Sequence, residues 1–209
     1  MHKKGTLYID LDHTLLNTEN YKRALAKALK PLGINEIFFW STYRKLREKS
    51  AFRIESFAAL LFKDKVQQKQ AARLLYNKSK SAGQFLYPDV LLFLKLSQKL
   101  GFRIIIFTYG DPYFQRLKIE SITAFRTLLD RVIITSAQTK NRALPLFNGF
   151  SAMLDNRPEV LLHYQKKYKF FPILIQRTQE KQAEVNILRP YFSLAQVSKM
   201  IKHKLNTKS

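Results

Sequence analysis

The stretch that decides the fold is Thr6-Leu7-Tyr8-Ile9-Asp10-Leu11-Asp12-His13-Thr14. Its first four residues form a short apolar run, which predicts a buried strand that ends at Asp10. Asp10 and Asp12 are two residues apart on an extended segment, so both side chains are expected on one side of the chain. Neighbouring carboxylates repel each other and also repel a phosphate dianion. A Mg²⁺ ion held by carboxylates and a phosphate group would offset that repulsion.

Five further apolar runs predict strands, and most of them are separated by stretches with helical character. Strands that are apolar throughout and alternate with helices are typical of a parallel sheet covered on both faces. The predicted fold class is therefore α/β, with a doubly wound parallel sheet. The strand runs are 102–107, 131–135, 150–154, 171–175 and 185–188, and the helical stretches are 88–99, 112–128, 139–147 and 157–168.

A long helical segment separates the first two strands. Leu25, Ala28, Leu29 and Leu32 share one helical face, and Gly33 ends that helix. Residues 34–81 contain no convincing strand, so the sequence predicts an all-helical insertion over 16–86 and a core made of 1–15 and 87–209. Residues 16–87 carry 15 Lys and Arg against 5 Asp and Glu. Arg44, Arg47 and Arg53 are interpreted as a solvated helix face, with a clamp for phosphate as the alternative.

Composition excludes several classes of protein. The chain has 209 residues, of which 46% are hydrophobic, which is enough for a packed core. Because it has no Cys, a disulfide scaffold, a Cys-ligated zinc site and a Cys nucleophile are excluded. No apolar run reaches the roughly 18 residues of a membrane span, so a cytoplasmic protein with no membrane partner is expected. The sequence does not indicate an oligomeric state.

The formal net charge of +22 leaves two interpretations open. A basic surface attracts polyanions such as nucleic acid and steers phosphorylated substrates. The same charge could also reflect a Lys-rich genome, since the cations are spread over the chain.

Polar residues follow several of the predicted strands, where the ligands of a doubly wound sheet bind. Thr108 and Tyr109 follow the second strand, and Asp155 and Asn156 follow the fourth. Lys140 lies shortly after the third strand, where its ammonium group could neutralise the charge of a bound phosphate. Lys118 is a weaker candidate for this role because it precedes that strand.

This order of residues resembles the haloacid dehalogenase-like (HAD) hydrolase superfamily. Asp10-Leu11-Asp12-His13-Thr14 is similar to its first motif, DxDxT, and Thr108 to its second. Lys140 is similar to the third motif, and residues 153–159 to the acidic fourth. The resemblance covers nearly the whole chain and implies a Rossmann-like core with a helical cap of the C1 type over residues 16–86.

The resemblance implies phosphatase chemistry with Mg²⁺ as cofactor. Asp10 would be the nucleophile that forms an aspartyl-phosphate, and Asp12 the general acid and then the general base. Thr108, Lys140 and the backbone N–H groups near Tyr109 and Gly110 would bind phosphate. The implied metal ligands are Asp10, Asp12 through its backbone carbonyl, and Asp155, supported by Asn156 and Glu159. Asn156 stands where many members carry a second acid, which implies a weaker metal affinity.

Three functions follow from this reasoning. The first is a phosphomonoester hydrolase acting on a small phosphorylated metabolite, such as a sugar phosphate or a nucleotide. The second is a phosphatase of nucleic-acid ends, motivated by the net charge. The third is a non-catalytic polyanion-binding protein that keeps the same fold. The sequence does not name a substrate.

Overall fold

A five-stranded parallel sheet forms the centre of the molecule, in the order β3-β2-β1-β4-β5. The computed structural model describes residues 3–136, 144–147, 149–177, 188 and 190–206. The predicted doubly wound α/β fold is confirmed. The strands are β1 (Gly5–Ile9), β2 (Phe102–Tyr109), β3 (Arg131–Thr135), β4 (Phe150–Asp155) and β5 (Phe171–Leu174).

The central strand β1 sets the position of its neighbours. Ile9 pairs with Ile106 of β2 on one side and with Leu154 of β4 on the other. Because all pairings are parallel, the carboxyl ends of these strands meet at one edge of the sheet. The next residues along the chain are Asp10 after Ile9 and Asp155 after Leu154. These two residues therefore lie side by side at the ends of adjacent strands.

Helices cover both faces of the sheet. Leu7 and Ile9 belong to a core cluster that includes side chains of α5 and α9, whereas Tyr8 points to a cluster with α8 on the opposite face. The helices are α1 (Thr18–Ala28), α2 (Glu36–Lys49), α3 (Ile54–Leu61), α4 (Lys65–Ser79), α5 (Val90–Lys99), α6 (Pro112–Glu120), α7 (Phe125–Leu128), α8 (Pro158–Tyr168) and α9 (Leu194–Asn206).

Over residues 18–85, all of which the structure describes, helices are the only regular secondary structure in the segment between β1 and β2. Short 3₁₀ helices at Lys30–Leu32 and Ala82–Phe85 supplement α1 to α4. The two ends of the segment meet, because Leu16 and Leu86 form an antiparallel bridge and the Asn17 N–H donates to the Phe85 carbonyl. We call residues 16–86 the cap segment; its standing as a separate domain is still a prediction.

Some predicted elements differ from the structure. Residues 144–147 have no helical structure, and 139–143 lie outside the described residues. The predicted strand at 185–188 also falls almost entirely outside them. The described part of the chain has no helix that is both long and apolar enough to cross a membrane.

Candidate active site

A tight turn after β1 presents the first carboxylate. Asp10 is buried, and its N–H donates to the Leu154 carbonyl of the adjacent strand, 2.9 Å away. The Leu15 and Leu16 N–H groups both donate back to the Leu11 carbonyl, which folds the chain on itself. As a result, the Thr14 hydroxyl lies 3.3 Å from Asp10 Oδ2 and donates to it.

Asp12 is held by side chains from both flanks of the site. Lys118 Nζ lies 2.8 Å from Asp12 Oδ1 and 2.7 Å from Oδ2, so one ammonium bridges both oxygens. The Gln115 amide donates to Oδ2 at 2.9 Å, and the Thr18 hydroxyl donates to Oδ1 at 3.0 Å. The carboxylate of Asp12 is therefore fixed by four polar contacts.

These contacts determine the charge of Asp12. Burial by itself raises the pKa of this carboxyl group, but the Lys118 ammonium and the Gln115 hydrogen bond outweigh it. Together they hold the pKa of Asp12 well below its usual range. Asp12 is therefore ionised at neutral pH in this arrangement.

Helix α6 supplies the two partners of Asp12. Asp111 caps this helix by accepting from the Phe114 N–H at 2.9 Å, and Pro112 occupies its first turn. Gln115 and Lys118 are three residues apart and so lie on one helix face. The sequence reasoning did not single out Gln115 and ranked Lys118 second. Both residues follow Asp111 and Pro112, a pair that is typical of a helix start, and their three-residue spacing on that helix was the available signal.

Thr108, near the end of β2, lines a cavity together with Asp10 and Asp12. Its hydroxyl oxygen is fully buried and has no hydrogen-bond partner among the described residues. Buried hydroxyl groups are normally paired, so this one is suited to a ligand oxygen. The Gly110 N–H donates instead to the Thr135 carbonyl at 3.0 Å, so it is committed to the sheet, contrary to the expectation for phosphate binding.

Of the residues predicted to form the fourth motif, some lie at the site and one does not. Asp155 is buried at the end of β4, and its Oδ1 accepts from the Arg157 N–H at 2.9 Å. Asn156 and Arg157 line the cavity, and the sequence reasoning did not single out Arg157. Glu159 does not line the cavity; its side chain is 69% exposed and lies 4.0 Å from the Arg157 guanidinium.

The oxygen groups at the strand ends are of the type that Mg²⁺ prefers. Asp10 and Asp155 are buried carboxylates on adjacent strands, and Mg²⁺ prefers such oxygen ligands. Among the described residues, no group of three or more His, Cys, Asp and Glu side chains is arranged for a metal. The expected set needs only two carboxylates and the Asp12 backbone carbonyl, so it is compatible with that finding.

Residues of the cap segment line one side of the cavity, which has a volume of about 330 Å³. Its lining includes Asp10, Asp12, Thr108 and Tyr109 from the core and Lys22, Tyr43 and Arg47 from the cap segment. The Arg47 guanidinium lies 5.3 Å from the Tyr109 ring centroid. The interpretation of Arg47 as a solvated residue is therefore wrong, because α2 turns it toward the cavity; Arg44 is exposed as expected.

Two other contacts join the cap segment to the core beside this cavity. The Arg53 guanidinium lies 3.4 Å from the Asp111 carboxylate, and the rings of Phe52 and Phe114 are 5.0 Å apart between centroids. Lys140, the predicted phosphate-binding lysine, lies outside the described residues, so its position remains a prediction.

Several solved structures share the fold of this chain over nearly the whole length of both proteins. A haloacid dehalogenase-like hydrolase from Burkholderia xenovorans has 17% identity and a TM-score of 0.72, covering 98% of this chain and 99% of its own. The HAD hydrolase YfnB from Bacillus subtilis, described as bound to magnesium, has 13% identity and a TM-score of 0.65, covering 96% and 99%. CbbY from Rhodobacter sphaeroides, solved with xylulose-1,5-bisphosphate, has 14% identity and a TM-score of 0.56, covering 92% and 95%.

No protein-family model matches the chain, and no curated protein matches it. The resemblance predicted from the motifs is thus confirmed by the structures at the level of the fold. This chain has the fold of the haloacid dehalogenase-like hydrolases.

Proposed function

We propose that the protein is a Mg²⁺-dependent hydrolase of phosphomonoesters that acts through an aspartyl-phosphate. The observation that carries the proposal is the buried, unpartnered hydroxyl of Thr108 in the described structure, in one cavity with Asp10 and Asp12. A phosphate oxygen would accept the hydrogen bond that this hydroxyl lacks. The same cavity then brings a nucleophile, an acid/base group and a phosphate ligand together.

In the first step, an Asp10 oxygen attacks the phosphorus atom and the bond from phosphorus to the leaving oxygen breaks. Protonated Asp12 gives its proton to that oxygen, which leaves as an alcohol. The resting contact with Lys118 favours ionised Asp12, so Asp12 must first take up the proton that it donates, either from solvent or from the monoanion of the bound phosphate ester.

In the second step, a water molecule attacks the phosphorus atom of the aspartyl-phosphate. Ionised Asp12 takes a proton from this water, and the bond between phosphorus and the Asp10 oxygen breaks. Phosphate and the original Asp10 carboxylate are the products, and Asp12 carries the proton from water until it passes it to the next leaving group or to solvent. The contacts that hold Asp12 in its ionised form support its role as the base here.

Mg²⁺ would be held by the carboxylates of Asp10 and Asp155 and by the Asp12 backbone carbonyl. When bound, it supplies positive charge that offsets the repulsion between the phosphate and the carboxylates. Thr14 orients Asp10 through its hydrogen bond, and the Arg157 N–H orients Asp155. With a substrate in the cavity, the cap segment would limit access of water to these groups.

The dimensions of the cavity favour a small substrate. Its volume of about 330 Å³ is at the lower end of the range for small-molecule sites. Lys22 and Arg47 give the cap side of the cavity a basic lining, which suits an anionic metabolite such as a sugar phosphate or a nucleotide.

The test is release of phosphate from p-nitrophenyl phosphate, sugar phosphates, nucleotides and a 5′-phosphorylated oligonucleotide. Each is assayed with Mg²⁺ and with EDTA, beside the Asp10→Asn protein. We expect turnover that needs Mg²⁺ and is absent in the variant. A folded, Mg²⁺-supplied protein that releases no phosphate from any of these substrates would contradict the proposal and favour the polyanion-binding alternative. Salt-dependent oligonucleotide binding would then be measured.

A further inference from the structure

Two buried side chains of α6 face the carboxylate of Asp12. Gln115 is 3% exposed and Lys118 is 2% exposed, although both are polar. A lysine is rarely buried to this extent unless it is paired. Here its ammonium bridges both oxygens of Asp12, and the Gln115 amide adds a third contact from the same helix face.

Gln115 also links Asp12 to the phosphate end of β2. Its Nε2 donates to Asp12 Oδ2 at 2.9 Å and to the Tyr109 carbonyl at 2.6 Å, which uses both amide hydrogens. Tyr109 directly follows Thr108, so one amide ties the acid/base carboxylate to the strand end that carries the proposed phosphate ligand.

Gly110 makes this link sterically feasible. A Cβ atom at position 110 would lie 2.6 Å from Gln115 Nε2 and 2.8 Å from its Cγ, which is too close for any side chain. Gly110 also has a φ of +155°, a conformation that other residues rarely adopt. The backbone after Thr108 is therefore shaped around the Gln115 side chain.

The geometry points to Gln115 and Lys118 as positioning residues that fix Asp12 relative to the end of β2, and thereby relative to the leaving group. The inference rests on the proposed function, because Asp12 acts on a leaving group only in that reaction. Neither residue needs to touch the substrate for this role. Their effect passes through the carboxylate that they hold.

This role predicts a dependence on the leaving group. An alkoxide needs the proton of Asp12 in order to leave, whereas p-nitrophenolate leaves without it. Because general acid–base catalysis contributes about 10²- to 10⁴-fold, misplacing Asp12 should lower kcat/KM for glycerol phosphate by about 10- to 100-fold. The value for p-nitrophenyl phosphate should fall by less than about 3-fold, since kcat/KM reports the steps up to leaving-group release.

The experiment compares Gln115→Met and Lys118→Met with Arg116→Met, a control on the exposed side of the same helix. Both substrates are assayed with the wild-type protein and the variants, and Asp12→Asn is combined with Gln115→Met. We expect leaving-group dependence in the two test variants and none in the control. We also expect the double variant to be no slower than Asp12→Asn alone, because the positioning residue acts only through Asp12.

Equal losses on both substrates, or additive losses in the double variant, would overturn the inference and leave the proposed function standing. A wild-type protein that hydrolyses neither substrate would instead refute the proposed function. Crystal structures of Gln115→Met and Lys118→Met give a readout that does not depend on turnover. The inference requires the Asp12 carboxylate to turn away from its present position in at least one of them; an unmoved carboxylate in both would refute it.

Discussion

The ion pair between Asp12 and Lys118 should contribute strongly to the stability of the folded protein, and the stability lost should depend on which partner is replaced. The two charges are 2.7 Å apart, which corresponds to a gross attraction of about 6 kcal/mol at an effective dielectric constant of about 20. Desolvation cancels part of this, and breaking a buried pair typically costs about 3–5 kcal/mol. The side chain of Asp12 is 24% exposed, so we place the coupling between the two residues at about 2–3 kcal/mol.

The cost should depend on which partner is removed. Asp12→Asn leaves the ammonium of Lys118, only 3% exposed, without a carboxylate, and we expect a loss of about 3–4 kcal/mol in the free energy of unfolding. Lys118→Met leaves a carboxylate that is partly solvated and keeps its contacts with Thr18 and Gln115, so a loss of about 2 kcal/mol is expected. The double variant should lose about 2–3 kcal/mol instead of the sum.

Urea denaturation of the four proteins at pH 7, followed by circular dichroism, measures these free energies. Repeating it at 0.5 M salt tests burial, since a buried pair is screened much less than a surface pair. Losses that add within about 0.5 kcal/mol would refute the reasoning, because they would show that the two side chains do not interact energetically. A larger loss for Lys118→Met than for Asp12→Asn would refute the argument from unequal exposure.

Three further predictions concern the rest of the site and its support. Thr108→Val should leave stability unchanged or raise it by up to about 1 kcal/mol, because it removes a hydroxyl that has no partner in the described structure. The same variant should have a lower kcat/KM for phosphate esters. Thermal unfolding measures the first effect and steady-state kinetics the second. Arg47→Ala should reduce kcat/KM more for esters with a second anionic group than for p-nitrophenyl phosphate, whereas the exposed control Arg44→Ala should reduce neither. Asp89→Asn should cost about 2 kcal/mol at pH 7, because Asp89 accepts from Arg177 at 2.8 Å and from the Leu194 N–H at 2.9 Å.

The pH dependence of that last effect follows from the pKa of Asp89. Burial raises this pKa, but the hydrogen bonds from Arg177 and the Leu194 N–H, together with the charge of Arg177, outweigh burial and hold it below the usual value. The folded protein therefore binds the proton less readily than the unfolded chain, whose Asp has a pKa near about 3.9. The stabilisation is present above that pH and is lost as the pH falls through the folded pKa. Urea denaturation at pH 7 and pH 3 should show the difference between the two proteins shrinking in acid.

The sequence by itself predicted the sheet and the ends of its strands. The runs around Leu7, Ile105 and Met153 are apolar on both faces, and such strands are buried wherever they pack, so their identity is a local property. Parallel pairing then brings Asp10, Thr108 and Asp155 to one edge of the sheet.

Side chains on helices could not be placed in the same way. Whether Lys118 reaches Asp12 depends on how α6 is rotated against the turn after β1, and that rotation is set by packing between distant parts of the chain. Gln115 was missed for the same reason. Arg47 was taken for a solvated residue because helical spacing shows which residues share a face, but not what that face meets.

The sequence therefore determined which residues stand at the strand ends, since burial of apolar runs and parallel pairing follow from local pattern. Only the tertiary structure decided which cations face the carboxylates. That choice depends on the packing of α6 and of the cap segment against the core, which no local pattern encodes.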